Sequence, residues 1–197
     1  VRQGYPVAVA GRTPNSARRA VRFIGGRARA AVRPDTAATG AQVVFITTPD
    51  TAIASVCDDL VARGAIGPGM TVFHCCGAYG AELLKSAGDA GAAVASLHPA
   101  QSFASPEQAV QRLAGSWFTL AGDADAEPVA RKIVTALGGH LATTAIRDRA
   151  LYHAALCVLS NYQVAVVDLG CTVLEEAGLT REEAERVARP LARGTAE

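Results

Sequence analysis

The sequence predicts an α/β fold: a doubly wound, mostly parallel sheet followed by the start of an all-α domain. Three observations lead there. Short apolar runs alternate with helical patterns in a βαβ rhythm, polar residues collect where those runs end, and from about Arg147 one long helical pattern replaces the alternation. The clearest strand is Val43-Val44-Phe45-Ile46, an unbroken apolar run of the kind buried on both faces of a parallel sheet. It enters Thr47-Thr48-Pro49-Asp50 at once. There Thr48 is placed to cap a helix, Pro49 suits its first turn and Asp50 complements the positive end of its dipole. Backbone N–H groups are then left facing a ligand beyond the strand. Any α/β protein has such a junction, so the other elements must decide.

Residues 1–4 read as the end of a helix, 5–10 as a strand, 11–14 as a turn and 15–24 as a helix with Ser16 near its start. A short strand falls near 30–33. After the Val43 strand come a helix over 51–63, a turn at Gly67-Pro68-Gly69, and a strand over 70–73 that ends in His74-Cys75-Cys76-Gly77. A helix over 78–87 leads to a strand over 92–97, which ends in His98-Pro99. Residues 117–120 form another strand, 125–137 a helix and 140–144 an edge strand. This gives an α/β domain over 1–145 and the beginning of a helical domain over 146–197. Residues 147–177 hold no proline and one internal glycine, Gly170, which predicts a helix of ~30 residues, or ~45 Å. A helix this apolar must be covered, by further helices or by a partner subunit. Gly178-Leu179-Thr180 ends it and starts another, with Glu182 and Glu183 in the new first turn. A start in mid-domain and a stop in or just after a helical pattern predict a chain cut at both ends.

Of the 197 residues 50% are hydrophobic and 19% charged, enough apolar material for a real core. Lys and Arg number 19 against 18 Asp and Glu, so the net charge of +1 predicts no nucleic-acid or membrane-surface partner and points to a small-molecule ligand. Cys57, Cys75, Cys76, Cys157 and Cys171 are odd in number and lack Cys-x-x-Cys spacing, which predicts reduced thiols and a cytoplasmic protein. No apolar stretch reads as reaching the ~18 residues of a membrane span.

Gly11-Arg12-Thr13 follows the first visible strand, where dinucleotide folds read the adenosine ribose. An acid there accepts ribose hydroxyls, whereas Arg12 with Thr13 and Ser16 suits the extra phosphate of NADP; a solvated turn arginine is the competing reading. A G-x-G-x-x-G loop should precede that strand, and none occurs in these 197 residues. Either the chain has lost that segment or cofactor binding is a relic. His98, just beyond a buried strand, is the strongest candidate for moving a proton to or from an oxygen undergoing hydride exchange; a histidine bonding its own loop is the alternative. Around His74-Cys75-Cys76 a metal site is disfavoured, because adjacent cysteines seldom share one ion and no second motif exists. A Cys76 nucleophile paired with His98 stays open beside plain buried thiols. On the long helix His153, Cys157, Ser160 and Asn161 share one face, as core hydrogen-bonding groups or as substrate contacts.

Taken in order, Thr47-Thr48-Pro49-Asp50, His74-Cys75-Cys76-Gly77-Ala78, Ser96-Leu97-His98-Pro99, Leu113-Ala114-Gly115, Gly122-Asp123, Leu137-Gly138-Gly139 and Tyr152-His153-Ala154-Ala155 through Ser160-Asn161 resemble the short-subunit dehydrogenase-like oxidoreductases. These join a Rossmann-like NADP-binding domain to a helical domain like the C-terminal one of 6-phosphogluconate dehydrogenase. The resemblance implies that Gly11, Arg12, Thr13 and Ser16 face the adenosine end of NADP and that Thr47, Thr48 and Pro49 lie along the cofactor. It implies that His98 contacts the reacting hydroxyl, as in prephenate dehydrogenases, and that the long helix forms a homodimer. Cys76 stands where the family usually has Ser, and Arg149 where Lys is frequent. An arginine can hold an anion but hardly trade protons, which leaves His98, His153, Asn161 and Cys76 as catalytic candidates. The expected activity is hydride transfer between NADP(H) and a small, anionic keto or hydroxy compound. The alternatives are a non-catalytic nucleotide-binding or relic dimer, and a thiol hydrolase using Cys76 and His98.

Overall fold

The structure is a computed structural model that describes residues 4–142 and 144–195. It divides into two compact units, Val1–Arg149 and Ala150–Glu197. The helix end expected over residues 1–4 lies almost wholly outside the described residues.

In the first unit, β1 (Val7–Val9) leads through α1 (Pro14–Ile24) to β2 (Ala28–Ala30), and α2 (Pro34–Ala38) leads to β3 (Val43–Ile46). Then α3 (Ile53–Ala62) connects to β4 (Thr71–His74), and α4 (Lys85–Asp89) to β5 (Ala93–Pro99). After α5 (Pro106–Arg112) come β6 (Trp117–Gly122), α6 (Glu127–Ala136) and β7 (His140–Leu141). β1 and β2 pair in parallel as a two-stranded sheet; the other five strands form a second sheet in the order β3-β4-β5-β6-β7. All of its pairings are parallel except β5 with β6, which is antiparallel.

Strand alternation sends side chains to two cores. Ile46, Val72, Cys76 and Val94 face Ile53, Cys57 and Leu60 of α3 and Ala87 of α4. On the opposite face Phe73, Ala95, Leu97 and Phe118 meet Ala126, Ala130 and Val134, mostly from α6. Helices on both faces make the fold doubly wound, as predicted. Ile53, 1% exposed, shows the driving force: burying such a side chain contributes roughly 1.5–3 kcal/mol.

Several local expectations are corrected. The helix predicted over 78–87 is a 3-10 turn (Ala81–Leu84) followed by the short α4, and α2 was not predicted. Thr48 caps nothing: a 3-10 turn over Asp50–Ala52 intervenes and α3 starts at Ile53. Its Oγ1 is buried and finds no partner among the described residues.

The second unit holds α7 (Arg149–Glu176, whose first residue belongs to the first unit) and α8 (Arg181–Thr195). The 28 residues of α7 span about 42 Å. Thr180 starts α8 through its N–H and hydroxyl, which both donate to the Glu183 carboxylate at 2.8 and 2.7 Å. That no stretch is long and apolar enough to span a membrane is corrected as well. α7 meets that test, with a mean hydropathy of 1.4 over 18 residues, because its scattered polar residues scarcely lower the average.

Candidate active site

Parallel pairing of β3, β4 and β5 brings their carboxyl ends to one edge of the sheet. Thr47 and Thr48 follow β3, Cys75 and Cys76 follow β4, and β5 runs on through His98 and Pro99. The strand expected to stop at Leu97 therefore includes His98. Register pairs His74 with Ser96, so β4 ends two residues before His98, and only Thr119 of β6 stands opposite it. His74, Cys76, Ser96, His98 and Thr119 alternate onto one face.

Two of these side chains are fixed by the fold. His74, 0% exposed, bonds the Gly80 carbonyl through Nε2 at 2.6 Å and accepts the Cys76 N–H at Nδ1 at 3.1 Å. Those partners require the Nε2–H tautomer. Burial lowers its pKa and keeps it neutral, with the nearby Arg149 charge acting in the same direction. Ser96, also 0% exposed, donates to the Cys76 carbonyl at 2.8 Å. Arg149 then fastens three strand ends together: its guanidinium donates to Ser96 Oγ at 3.0 Å, Thr119 Oγ1 at 3.3 Å and the Cys76 carbonyl at 3.4 Å. Nothing in its sequence context announces these contacts, because its partners lie 30, 53 and 73 residues away.

Cys76 is 6% exposed, and burial together with the Asp50 carboxylate pushes its thiol upward. Cys75 points to the other face and is pushed up to about 11 by burial. Thiols shifted this way are protonated at neutral pH and poor nucleophiles, which removes the physical support for a thiol hydrolase. Among the described residues no group of three His, Cys, Asp or Glu side chains is disposed to hold a metal.

Beyond β1, Thr13 caps α1 and forms a reciprocal box with Ser16: the Ser16 N–H donates to Thr13 Oγ1 at 3.2 Å and the Thr13 N–H donates to Ser16 Oγ at 3.3 Å. A Cβ on Gly11 would sit 2.5 Å from Ser16 Oγ and would force that hydroxyl out of its place in the cap. Arg12 is exposed and pairs with no described residue. His153 and Asn161 stand on α7 in the second unit, half-buried and exposed respectively.

Comparison with known proteins agrees with this architecture. Residues 2–99 match the family model of a Rossmann-like domain, and residues 116–197 that of a domain of unknown function, DUF2520. No curated protein matches. Protein TM1727 from Thermotoga maritima, a solved structure, is 26% identical, with a TM-score of 0.70 over 97% of this chain and 70% of that one. A pyrroline-5-carboxylate reductase from Coxiella burnetii is 20% identical, with a TM-score of 0.70 over 99% and 71%. The Plasmodium falciparum pyrroline carboxylate reductase with NADP bound is 11% identical, with a TM-score of 0.68 over 96% and 66%. The fold is thus α/β with a Rossmann-like, mostly parallel sheet and a helical C-terminal part.

Proposed function

We propose that this protein is an NADP-dependent oxidoreductase of the short-subunit dehydrogenase-like kind, acting on a small, anionic keto or hydroxy compound. The observation that carries the reading is the shared carboxyl edge of β3, β4 and β5, where Thr48, Cys76 and His98 collect and where ligands of open α/β sheets bind. Residues there and after β1 fit a dinucleotide. The buried Thr48 hydroxyl lacks a protein partner, and Arg12 is an unpaired guanidinium beside the hydroxyls of Thr13 and Ser16. When bound, NADPH supplies the hydride.

In this reading Gly11 lets the backbone turn closely, Arg12, Thr13 and Ser16 hold the ribose phosphate, and Thr47, Thr48 and Pro49 line the cofactor. His98 holds the proton exchanged with the substrate oxygen. Cys76 packs the strand end without exchanging one. Arg149 braces the edge on which His98 stands. For His153 and Asn161 the role of orienting substrate rests on the motif alone. A relic dimer that binds nucleotide without turnover differs in one respect: it oxidises no NADPH with any substrate.

Arg12→Ser, in the protein expressed from its whole reading frame, is expected to weaken NADPH binding about 10- to 100-fold, from the loss of a charge-assisted contact of ~1.5–3 kcal/mol. NADH affinity should barely move. Cofactor fluorescence titration measures both, and equal losses for the two cofactors would remove Arg12 from the phosphate site.

The proposal extends to a homodimer through α7. Leu151, Leu159, Tyr162, Val166 and Leu169 are each more than 60% exposed, an apolar surface that suits a second copy. Sedimentation velocity is expected to give a dimer. A monomer across the whole concentration range would end that reading.

A further inference from the structure

Residues 75–80 join β4 to the 3-10 turn Ala81–Leu84 without regular secondary structure, yet Cys76, Gly77 and Gly80 are buried. Backbone N–H and C=O groups in a buried loop must find partners, and here side chains supply them. His74 holds both ends of the loop: Nδ1 accepts the Cys76 N–H at 3.1 Å, and Nε2–H donates to the Gly80 carbonyl at 2.6 Å. Glu82 completes the second end by accepting the Gly80 N–H at 2.9 Å. Ser96 and Arg149 both donate to the Cys76 carbonyl, and the Cys76 sulfur faces the N–H groups of Ala78 and Tyr79.

This double contact sets the state of the ring. A carbonyl can only accept, so Nε2 carries the proton and Nδ1 keeps the lone pair that the Cys76 N–H needs. A second proton would set two donors face to face at Nδ1, breaking that bond and leaving the one to Gly80. Burial opposes this protonation most and lowers the His74 pKa from its ordinary 6.5. Of the charged groups around the ring, Glu82 and Asp50 favour the cation and Arg149 opposes it. The other titratable neighbours are Cys76, whose thiol stays protonated, and His98, two residues past Ser96 on the same face of β5. With the folded value lowered, the neutral ring stabilises the loop fully above pH 6.5, and that contribution is lost as pH falls through the folded value.

The loop occupies the middle of the carboxyl edge, between Thr47 and Thr48 after β3 and His98 on β5. His74 orients Cys76 through its N–H, and the Cys76 carbonyl anchors Ser96 and Arg149. Arg149 in turn reaches Thr119, opposite His98. At 0% exposure the His74 ring itself meets no ligand. We propose, on the dinucleotide reading of this edge, that His74 is its positioning residue: the neutral ring holds residues 75–80 in the shape that receives the cofactor, and a proton on Nδ1 releases them. The edge thereby carries an acid-sensitive latch that acts through Cys76.

Hydrogen exchange resolved by NMR tests the latch in the protein expressed from its whole reading frame. Protection of the Cys76 amide, corrected for the intrinsic effect of pH, is expected to fall at least about tenfold as His74 titrates, with residues 71–73 of β4 unchanged. His74→Asn keeps an acceptor for the Cys76 N–H and cannot titrate, so its Cys76 protection should not change with pH. Protection that ignores pH in the parent, or that falls alike in the variant, overturns the proposal. Ring-nitrogen spectra of the parent give a second reading that needs no variant. They should show the Nε2–H tautomer of His74 at neutral pH, lost over the same range as the Cys76 protection; another tautomer or another range overturns the latch. Calorimetric titration with NADP tests its effect on the site. Below the titration, affinity should weaken more in the parent than in His74→Asn, by up to about tenfold per pH unit, the limit for one linked proton. Titration of the nucleotide phosphate and of His98 acts on both proteins alike, so equal slopes overturn the positioning role. If the parent binds no NADP at any pH, the dinucleotide reading falls instead, and the exchange data decide the latch.

Discussion

His98→Asn is expected to lower NADPH-dependent turnover by about 10²- to 10⁴-fold, the usual contribution of a positioned general acid or base, while NADPH affinity stays nearly constant. Asparagine keeps a hydrogen-bonding side chain of similar length but cannot give up or accept a proton near neutral pH. His98 differs from the other histidine of this edge in burial and in its place on the strand. His74 is fully buried, bonded to the Gly80 carbonyl and the Cys76 N–H, and burial holds its ring neutral. His98 stands on the part of β5 that outruns β4, half-buried and opposite Thr119. The assay follows NADPH absorbance with a panel of keto acids. A variant as fast as the parent protein on a substrate that works would withdraw the assignment.

Gly122→Ala is expected to destabilise the protein by more than about 3 kcal/mol, or roughly 6–12 °C in melting temperature for a chain of this size. A Cβ there would lie 2.2 Å from the Val94 carbonyl oxygen and 2.5 Å from Ala95 Cα, and backbone atoms cannot step aside as a flexible side chain can. The clash falls on a joint that sets the antiparallel pair. The Asp123 N–H donates to the Val94 carbonyl at 2.9 Å, and the Asp123 carboxylate accepts the Val94 N–H at 2.9 Å. Opening that joint loosens β6 against β5, and β6 carries Thr119 opposite His98. Gly67→Ala is the control, because a Cβ there meets nothing within 4 Å. Thermal unfolding of the two variants should differ widely; similar melting temperatures would show that the backbone yields more easily than these distances imply.

Both predictions depend on a register that the sequence does not display. The apolar run 117–120 reads the same whichever way the strand points, so its antiparallel pairing with β5 becomes visible only in the sheet. The same pairing draws His98 and Pro99 into β5, where the sequence suggested a loop. Thr48 shows the other side of this limit. Its hydroxyl has the right chemistry for a cap, yet a 3-10 turn at Asp50–Ala52 moves the helix start to Ile53 and leaves that oxygen without a protein partner. Cys76 looked like a possible nucleophile beside His98, until its burial and the nearby Asp50 raised its pKa.

By itself the sequence determined the alternation of strands and helices, the long helix after Arg147, and the clustering of Thr47, Thr48, Cys76 and His98 at strand ends. These follow from local causes: the spacing of apolar residues, turn chemistry, and the burial of unbroken apolar runs in a parallel sheet. Tertiary structure alone decided the direction of β6, the Arg149 bridge across Cys76, Ser96 and Thr119, and the protonation of His74 and Cys76. Each of these depends on groups far apart in the chain. Strand pairing and desolvation exist only once such groups are packed together.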